Sequence, residues 1–419
     1  MSFEIALAGI TAASNGLDEI SNNIANSGTL GFKSSRTNFN AVYADGLANG
    51  AAVGSVTQSI GTVGGAVNTG NGMDAMIEGQ GFFAVRNDSG QIEYSRVGQF
   101  NVDQNGYVVD SNGRRLQGYA AVLNQSGQAQ TGAALGAMGD LKITTGQLGA
   151  QATGKLDYSG NLSADWTPPA TAPFNSADPT SYNSSATSVV YDSLGKQHTL
   201  TQYFVSAGAA TGKVNVYYSF DGAVVNNPAA PNATMTFGAN GQLAQLNGVA
   251  VTAAASPTQS YTATPAPAAP AAALTFTIDY TNTTSFSGDT TTLTNTADGY
   301  TAGILTGTSI GGDGSVVATY SNGLKQAVGT VALASFADEQ ALTPLDGTAW
   351  EANRDTGPAL FSAPGIGAAP KLATGSLEQS NVDVTTQLVD LMTSQQVYQA
   401  NSKVISAQSQ MMQSLMQAI

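Results

Sequence analysis

The chain has 419 residues, no cysteine, and 14 Lys and Arg against 28 Asp and Glu, which gives a formal net charge of −14. This length is enough for about two to four domains. The missing cysteines exclude disulfides and thiolate metal sites, and the acidic balance argues against a surface that binds nucleic acid.

A helix is predicted at the N-terminus, where apolar side chains recur at alternating spacings of four and three residues. Asn15 and Gly16 lie inside this stretch. A glycine in a helix interior costs about 1 kcal/mol, so the helix is expected to be kinked or weak there. The apolar residues of the stretch are Phe3, Leu7, Ile10, Leu17, Ile20 and Ile24.

The middle of the chain is predicted to be rich in β structure. Dipeptides such as Asn105-Gly106 and Asp298-Gly299 separate short apolar runs and are typical of hairpin turns. The predicted parts are a terminal helical domain (1–33 and 375–419), an extended connector (34–72 and 365–374), a first β domain (73–154 and 281–364) and an inserted outer β domain (155–280).

A long second helix is predicted at the C-terminus, where the spacing of four and three returns without an interrupting Gly or Pro. Ser380 or Asn381 is expected to cap it, with Asp383 at the position of a capping-box carboxylate. The apolar residues of this line are Val384, Leu388, Leu391, Tyr398, Ile405, Met412 and Met416.

Neither terminal helix can bury its apolar line alone, so the two are predicted to pair in a coiled coil. The predicted fold class is mainly β with α-helical termini, and two nested antiparallel β domains are inserted between the helices. Periodicity alone equally allows two ordinary amphipathic helices that close one globular domain.

The sequence offers no arrangement typical of an active site, so no enzyme, cofactor or metal is predicted. The single histidine, His198, is expected to be packed or at the surface. The run from Gly149 to Lys155 is similar to a P-loop, but Leu156 stands where the Mg²⁺-binding hydroxyl belongs. Carboxylates are scattered singly, and no acid–base pair stands out.

A motif after the first helix resembles the signature of the bacterial flagellar rod and hook family of axial proteins. Further blocks at 73–83, 94–119 and 375–401 resemble the same family, so the likeness covers both ends and the first β domain. Lys33 and Arg36 are expected to be solvated or paired. The motif residues are Asn22, Asn23, Ile24, Ala25, Asn26, Thr29, Gly31, Phe32 and Lys33.

Within that family, a chain of this length with an inserted β domain is similar to hook subunits. The resemblance implies a helical homopolymer: a curved, flexible tube that transmits torque from the rod to the filament. The terminal helices would line the tube and form its polymerisation seam, and the β domains would form outer layers. Expected partners are other copies, axial proteins at the rod and filament junctions, the hook cap and the export apparatus.

An extracellular location in the flagellar hook, attached to the basal body, is implied as well. Lys33 is the first basic residue and no apolar run is long enough to span a membrane, so neither a cleaved signal peptide nor membrane insertion is expected. Export through the flagellar type III apparatus fits both features. Two alternatives stay open, a distal rod-type subunit of the same family and a secreted β-rich adhesin or surface-layer protein.

Overall fold

The structure is a computed structural model that describes residues 2–44, 47–121, 136–208, 211–224, 230–252, 255–263, 266–367 and 369–418. Within these residues a helix lies at each end of the chain and strands occupy the sequence between them. The prediction of a mainly β fold with helical termini is confirmed. Residues 122–135, which belong to the predicted first β domain, lie outside the described ranges.

The two helices are α1 (Ser2–Ala25) and α2 (Val384–Ala418). The strands up to residue 161 are β1 (Ser35–Ala44), β2 (Leu47–Gln58), β3 (Ala66–Asn68), β4 (Ala75–Glu78), β5 (Phe82–Arg86), β6 (Ile92–Ser95), β7 (Phe100–Val102), β8 (Val108–Asp110), β9 (Arg115–Ala120), β10 (Met138–Asp140) and β11 (Lys155–Asn161).

The strands of the next segment are β12 (Ser184–Tyr191), β13 (Gln197–Ser206), β14 (Lys213–Phe220), β15 (Ala223–Val224), β16 (Ala233–Phe237), β17 (Leu243–Leu246), β18 (Val249–Ala250), β19 (Thr258–Thr262), β20 (Thr275–Asp279) and β21 (Thr291–Ala297). The remaining strands are β22 (Leu305–Ile310), β23 (Ser315–Tyr320), β24 (Lys325–Val331), β25 (Leu333–Ser335), β26 (Thr343–Leu345), β27 (Ala349–Glu351), β28 (Leu360–Ser362), β29 (Lys371–Thr374) and β30 (Ser376–Glu378).

The chain divides into two compact units. Unit 1 consists of Met1–Thr145, Gly307–Ala318 and Lys325–Ile419, and unit 2 consists of Gly146–Thr306 and Thr319–Leu324. Unit 1 therefore contains both terminal helices together with the first and last strands of the chain.

Helices α1 and α2 pack against each other as antiparallel neighbours, which confirms their predicted pairing. A Cβ built on Gly9 would lie 2.8 Å from Nδ2 of Asn401, and Asn23 donates a hydrogen bond to Gln387 at the other end. At both points the numbers of the two facing residues add up to 410, so a residue of α1 lies beside the residue of α2 whose number completes that sum. Residues 409–418 of α2 therefore extend beyond Ser2, where α1 begins.

Helix α1 continues unbroken through Asn15 and Gly16. Gly16 is buried, and a Cβ built on it would lie 3.2 Å from Cζ of Phe39 in β1. The missing side chain lets the aromatic ring approach the helix, and this packing offsets the weak helix propensity of glycine.

The β part of unit 1 is held together by an aromatic core. Phe82 of β5 packs edge-on against Trp350 of β27, with ring centroids 5.5 Å apart, and against Phe336, at 6.0 Å. β5 pairs with β6 and β9, while β4 pairs with β29 and β3 pairs with β30. Strands from the two ends of the chain therefore meet in the same unit.

Unit 2 contains a seven-stranded sheet, in which β12, β13, β14, β16, β17 and β18 are successive neighbours, and a four-stranded sheet ordered β19–β20–β11–β21. Buried tyrosines join elements of its core, where Tyr280 donates to Gln202 at 2.6 Å and bonds to Tyr218 at 2.8 Å. β11 and β20 are parallel. The prediction of purely antiparallel β structure is thus wrong at this pair.

The boundary between the β domains lies elsewhere than predicted. The sequence predicts residues 281–306 to be in the first β domain, but β21 pairs with β11 along its length, and Tyr300 and Gly303 bridge to Gln151 and Leu148. Backbone hydrogen bonds thus place residues 146–154 and 281–306 in unit 2.

His198 is buried in unit 2 and held by two carboxylates. Its Nδ1 lies 2.7 Å from Oδ2 of Asp221, and its Nε2 lies 3.3 Å from Oδ2 of Asp192. Burial raises the pKa of Asp192. Hydrogen bonds from the backbone N–H groups of Lys196 and Leu194 and from His198 outweigh that effect, so the pKa lies below its ordinary value. Asp221 behaves in the same way.

These depressed pKa values predict that unit 2 loses stability in acid. A carboxylate whose folded pKa lies below its unfolded value stabilises the fold above the unfolded value, and this contribution is lost as the pH falls through the folded pKa. We expect the thermal midpoint to fall between about pH 5 and pH 2, with a shallower slope in Asp192→Asn. Circular dichroism melts measure it, and equal slopes would contradict the assignment.

Candidate functional site

The family-like motif after α1 is built around Asn23, which is almost fully buried. Its Nδ2 donates to the backbone oxygen of Ser35 at 2.7 Å and to Oε1 of Gln387 at 3.0 Å. Its Oδ1 accepts from the backbone N–H of Ser35 at 2.9 Å. One side chain thus fixes the end of α1, the start of β1 and the first turn of α2.

The other asparagines of the motif close the C-terminal end of α1. Nδ2 of Asn26 donates to the side chain of Asn22 at 2.9 Å, and Thr29 donates to Oδ1 of Asn26 at 3.1 Å. Ser27 donates to the backbone oxygen of Ile24 at 2.9 Å, while Ala25 is exposed and ends the helix. The Ser27 bond gives a partner to a helix-end carbonyl, and the two bonds between side chains hold the turn that follows the helix.

Gly31 occupies a position that only glycine fits easily. Its φ of +66° is in the left-handed region, and a Cβ would lie 3.0 Å from Cγ2 of Val97 and 3.2 Å from the Val97 nitrogen. Its N–H donates to the backbone oxygen of Glu378 at 2.8 Å, and the Phe32 oxygen accepts from the Asn381 N–H at 3.3 Å. The motif therefore lies directly against the segment that precedes α2.

Lys33 is a buried member of an ion cluster and not a solvated side chain. Its Nζ lies 2.6 Å from Oε1 of Glu378 and donates to the Thr62 oxygen at 2.6 Å. Nη1 of Arg96 lies 3.5 Å from Oε2 of the same carboxylate and donates to the Gly79 oxygen at 2.8 Å. Arg36, the other cation expected to be solvated or paired, is exposed.

Burial dominates the electrostatics of this cluster. It lowers the pKa of the Lys33 ammonium, although Glu378 acts in the opposite direction, and it lowers the pKa of the Arg96 guanidinium. Burial also raises the pKa of the nearby Glu339 carboxyl. The cluster connects the segment after α1, the segment before α2 and the β part of unit 1 through one carboxylate.

The start of α2 is fixed by two residues of the C-terminal block. Asn381 accepts from the Ser34 N–H at 2.8 Å and donates to the Ser59 oxygen at 2.9 Å. Asp383 caps α2 directly, because its Oδ1 accepts from the N–H of Thr385 at 2.9 Å. The prediction that Ser380 or Asn381 is the cap is therefore wrong, since the Asn381 side chain is engaged elsewhere.

The contact between α1 and α2 is made of small and polar side chains. On α1 the buried positions include Ala12, Ala13 and Gly16, and Gly9 faces Asn401. The half-buried positions of α2 are Gln387, Leu391, Ser394, Asn401, Ile405 and Gln408. These keep the spacing of four and three, but only two of them belong to the predicted apolar line.

Seven of the thirteen residues of the predicted seam are exposed in the single chain. Phe3 and Leu7 are 47% and 49% exposed. The other exposed seam residues are Val384, Leu388, Tyr398, Met412 and Met416. Those that the structure leaves half-buried are Ile10, Leu17, Ile20, Ile24, Leu391 and Ile405. Further apolar side chains of α2 are exposed beside the line, namely Val389, Met392, Val397, Val404, Met411 and Leu415.

A groove of about 850 Å³ lies among α1, the hairpin of β1 and β2, and α2. Its walls include the small α1 residues and the apolar side chains of Ile5, Phe39 and Val397. Three charged residues also line it: Glu19, Arg36 and Asp390. Of the helices that the structure describes, none is long and apolar enough to cross a membrane.

Three protein-family descriptions match segments of the chain. "Flagellar hook protein FlgE/F/G D1 domain" matches residues 76–153, "Flagellar basal body protein FlaE D2 domain" matches 161–300, and "Flagellar basal body rod FlgEFG protein C-terminal" matches 373–418. The second match lies inside the range of unit 2, and the third covers β30 and α2.

The chain is also similar to whole proteins. It is 34% identical to the flagellar hook protein FlgE of Escherichia coli (strain K12) over 424 residues, with 99% of each chain covered. It is 30% identical to that of Treponema pallidum (strain Nichols), covering 96% of this chain and 95% of the relative.

A solved structure agrees in fold. The Helicobacter pylori flagellar hook protein FlgE2 matches with a TM-score of 0.54 and 13% identity, over 75% of this chain and all of that chain. Sequence relatives and fold point to the same group, and the chain belongs to the flagellar hook protein family.

Proposed function

We propose that this chain polymerises through its terminal helices into the curved, flexible tube of the flagellar hook, which transmits torque from rod to filament. The observation that carries the proposal is the row of exposed apolar side chains along α2. Exposed apolar patches of this extent on soluble proteins mark interaction sites. In a homopolymer the same patch is covered by other copies.

In this proposal α1 and α2 form coiled-coil contacts along the inner tube, and two nested β domains form the outer layers. The predicted seam, from Phe3 to Ile24 and from Val384 to Met416, is buried mainly between subunits. The hydrogen bonds and ion pairs of Asn23, Lys33, Glu378 and Asn381 then hold the helices to the β part of unit 1, while the seam residues contact neighbouring subunits.

The proposal extends to location and partners. The subunit would leave the cell through the flagellar type III apparatus without a cleaved signal peptide and would reside in the extracellular hook. Its partners would be further copies, the axial proteins at the rod and filament junctions, the hook cap and the export apparatus. Its role is structural and needs no cofactor.

Seeded assembly of the purified full-length chain tests this function. Sheared tubes serve as seeds, and electron microscopy follows the products. We expect hollow, supercoiled tubes. Uniformly straight tubes would instead support the rod-type alternative, and flat sheets or no ordered polymer would support an adhesin or surface-layer protein.

A further inference from the structure

The groove among α1, β1, β2 and α2 contains two carboxylates at about the same position along the helix axes. The numbers of facing residues in α1 and α2 add up to 410, so Glu19 faces position 391 of α2. Along the helix axis Glu19 is therefore next to Asp390. Both line the groove, and neither has an ion pair or hydrogen bond among the described residues. With Arg36 as the third charged residue lining it, the groove carries a net charge of −1.

The two helices contain very little positive charge to balance this. Lys403 is the only Lys or Arg in either helix, against Glu4, Asp18, Glu19 and Asp390. Lys403 is exposed and makes no ion pair among the described residues. A tube built from these helices would therefore bring together several carboxylates and a single cation per subunit.

Lys403 cannot reach the two groove carboxylates of its own subunit. It lies 13 residues from Asp390 along α2, which is about 20 Å at the rise of an α-helix and about 140° around the axis. It lies level with residue 7 of α1, which is about 18 Å along the axis from Glu19. An extended lysine side chain is far shorter than either distance, so the charges can meet only between two copies.

The surroundings of Lys403 suit insertion into a groove of limited width. Ala400 and Ala407 lie on the same face of α2 and are exposed, and their small side chains permit close approach. The groove is lined by small residues of α1, Gly9, Ala12 and Ala13, which pack toward α2, and by the apolar Ile5 and Val397. Charge is thus complementary between this face and the groove.

We infer that the groove binds the α2 face around Lys403 of a second copy of this chain, with its ammonium between Glu19 and Asp390. The inference rests on the proposed polymerisation and specifies one contact of it. The contact fixes the register of neighbouring subunits, because only one position along α2 carries a cation.

Charge reversal with mixing tests this contact. The first variant is Lys403→Glu and the second is Glu19→Gln/Asp390→Lys, which gives the groove a net charge of +2. We expect each variant alone to need about tenfold more protein to assemble in seeded sedimentation assays, because like charges face each other. An equimolar mixture should assemble close to wild type, since each contact between unlike copies again pairs opposite charges.

Controls separate the possible outcomes. Lys213→Glu reverses an exposed lysine of unit 2 and should assemble normally, and circular dichroism should show unchanged helix content in all variants. Normal assembly of Lys403→Glu alone would overturn the inference, as would a mixture that assembles no better than its components. Failure of wild type to form tubes would instead overturn the proposed function.

Discussion

Replacing Glu378 by Gln should lower the free energy of unfolding of unit 1 by about 3–5 kcal/mol, the usual loss when one partner of a buried ion pair is removed. The Glu378 carboxylate is almost fully buried and accepts from Lys33 and Arg96, and its Oε1 also accepts from the Gly64 N–H at 2.9 Å. The substitution removes the negative charge that both buried cations contact directly.

Lys33→Met should cost less than Glu378→Gln, because the remaining carboxylate keeps Arg96 as its partner. Chemical denaturation monitored by tryptophan fluorescence measures both, since Trp350 lies in the core of unit 1. A double-mutant cycle between positions 33 and 378 gives their coupling.

Glu351→Gln is the matched control, since it makes the same chemical change at an exposed position of unit 1. It should alter stability by no more than about 0.5 kcal/mol. If Glu378→Gln is as mild as this control, the cluster does not hold the chain ends together in the way its geometry indicates.

The buried ion cluster also shows what sequence reasoning could not reach. Lys33, Arg96 and Glu378 all lie in the segments that resembled the family, but a sequence shows only that charges are present. Their burial depends on strand β30 and the loop after α1 coming together across more than 300 positions. A lysine in an Asn- and Gly-rich stretch is by default expected at the surface.

The terminal helices were predictable because a spacing of four and three is a local property. The same pattern could not say which face meets which partner. The contact inside the chain uses Gly9 against Asn401 and Asn23 against Gln387, and none of these is apolar enough to register in a hydrophobic pattern. The apolar line identified from the sequence is only partly used inside the chain, which leaves seven of its thirteen residues exposed.

The boundary of unit 2 was missed for a different reason. Asp298-Gly299 has the same turn signal as the dipeptides of unit 1, so local chemistry gives no indication of which sheet the neighbouring strand joins. The pairing of β21 with β11 joins residues about 135 positions apart. Only that pairing shows where residues 281–306 belong.

The second large effect expected is on assembly. Leu388→Asp should abolish tube formation while the monomer keeps its stability within about 0.5 kcal/mol, because the side chain is 47% exposed in the single chain. In a polymer that covers it, an unpaired carboxylate at this position costs several kcal/mol in every subunit. Each 1.4 kcal/mol is a tenfold change, so the critical concentration should rise by about a hundredfold or more.

Two controls make the result specific to the seam. Leu388→Met keeps an apolar side chain of similar size and should assemble like wild type. Leu194→Asp places the same charge at an even more exposed leucine, 59% exposed, on a turn of unit 2 outside the terminal helices, and should also assemble. Sedimentation and electron microscopy of seeded reactions compare the four proteins. Tubes from Leu388→Asp at the wild-type critical concentration would show that this face of α2 stays in contact with water in the polymer, and the seam would then have to lie on another side of the helix.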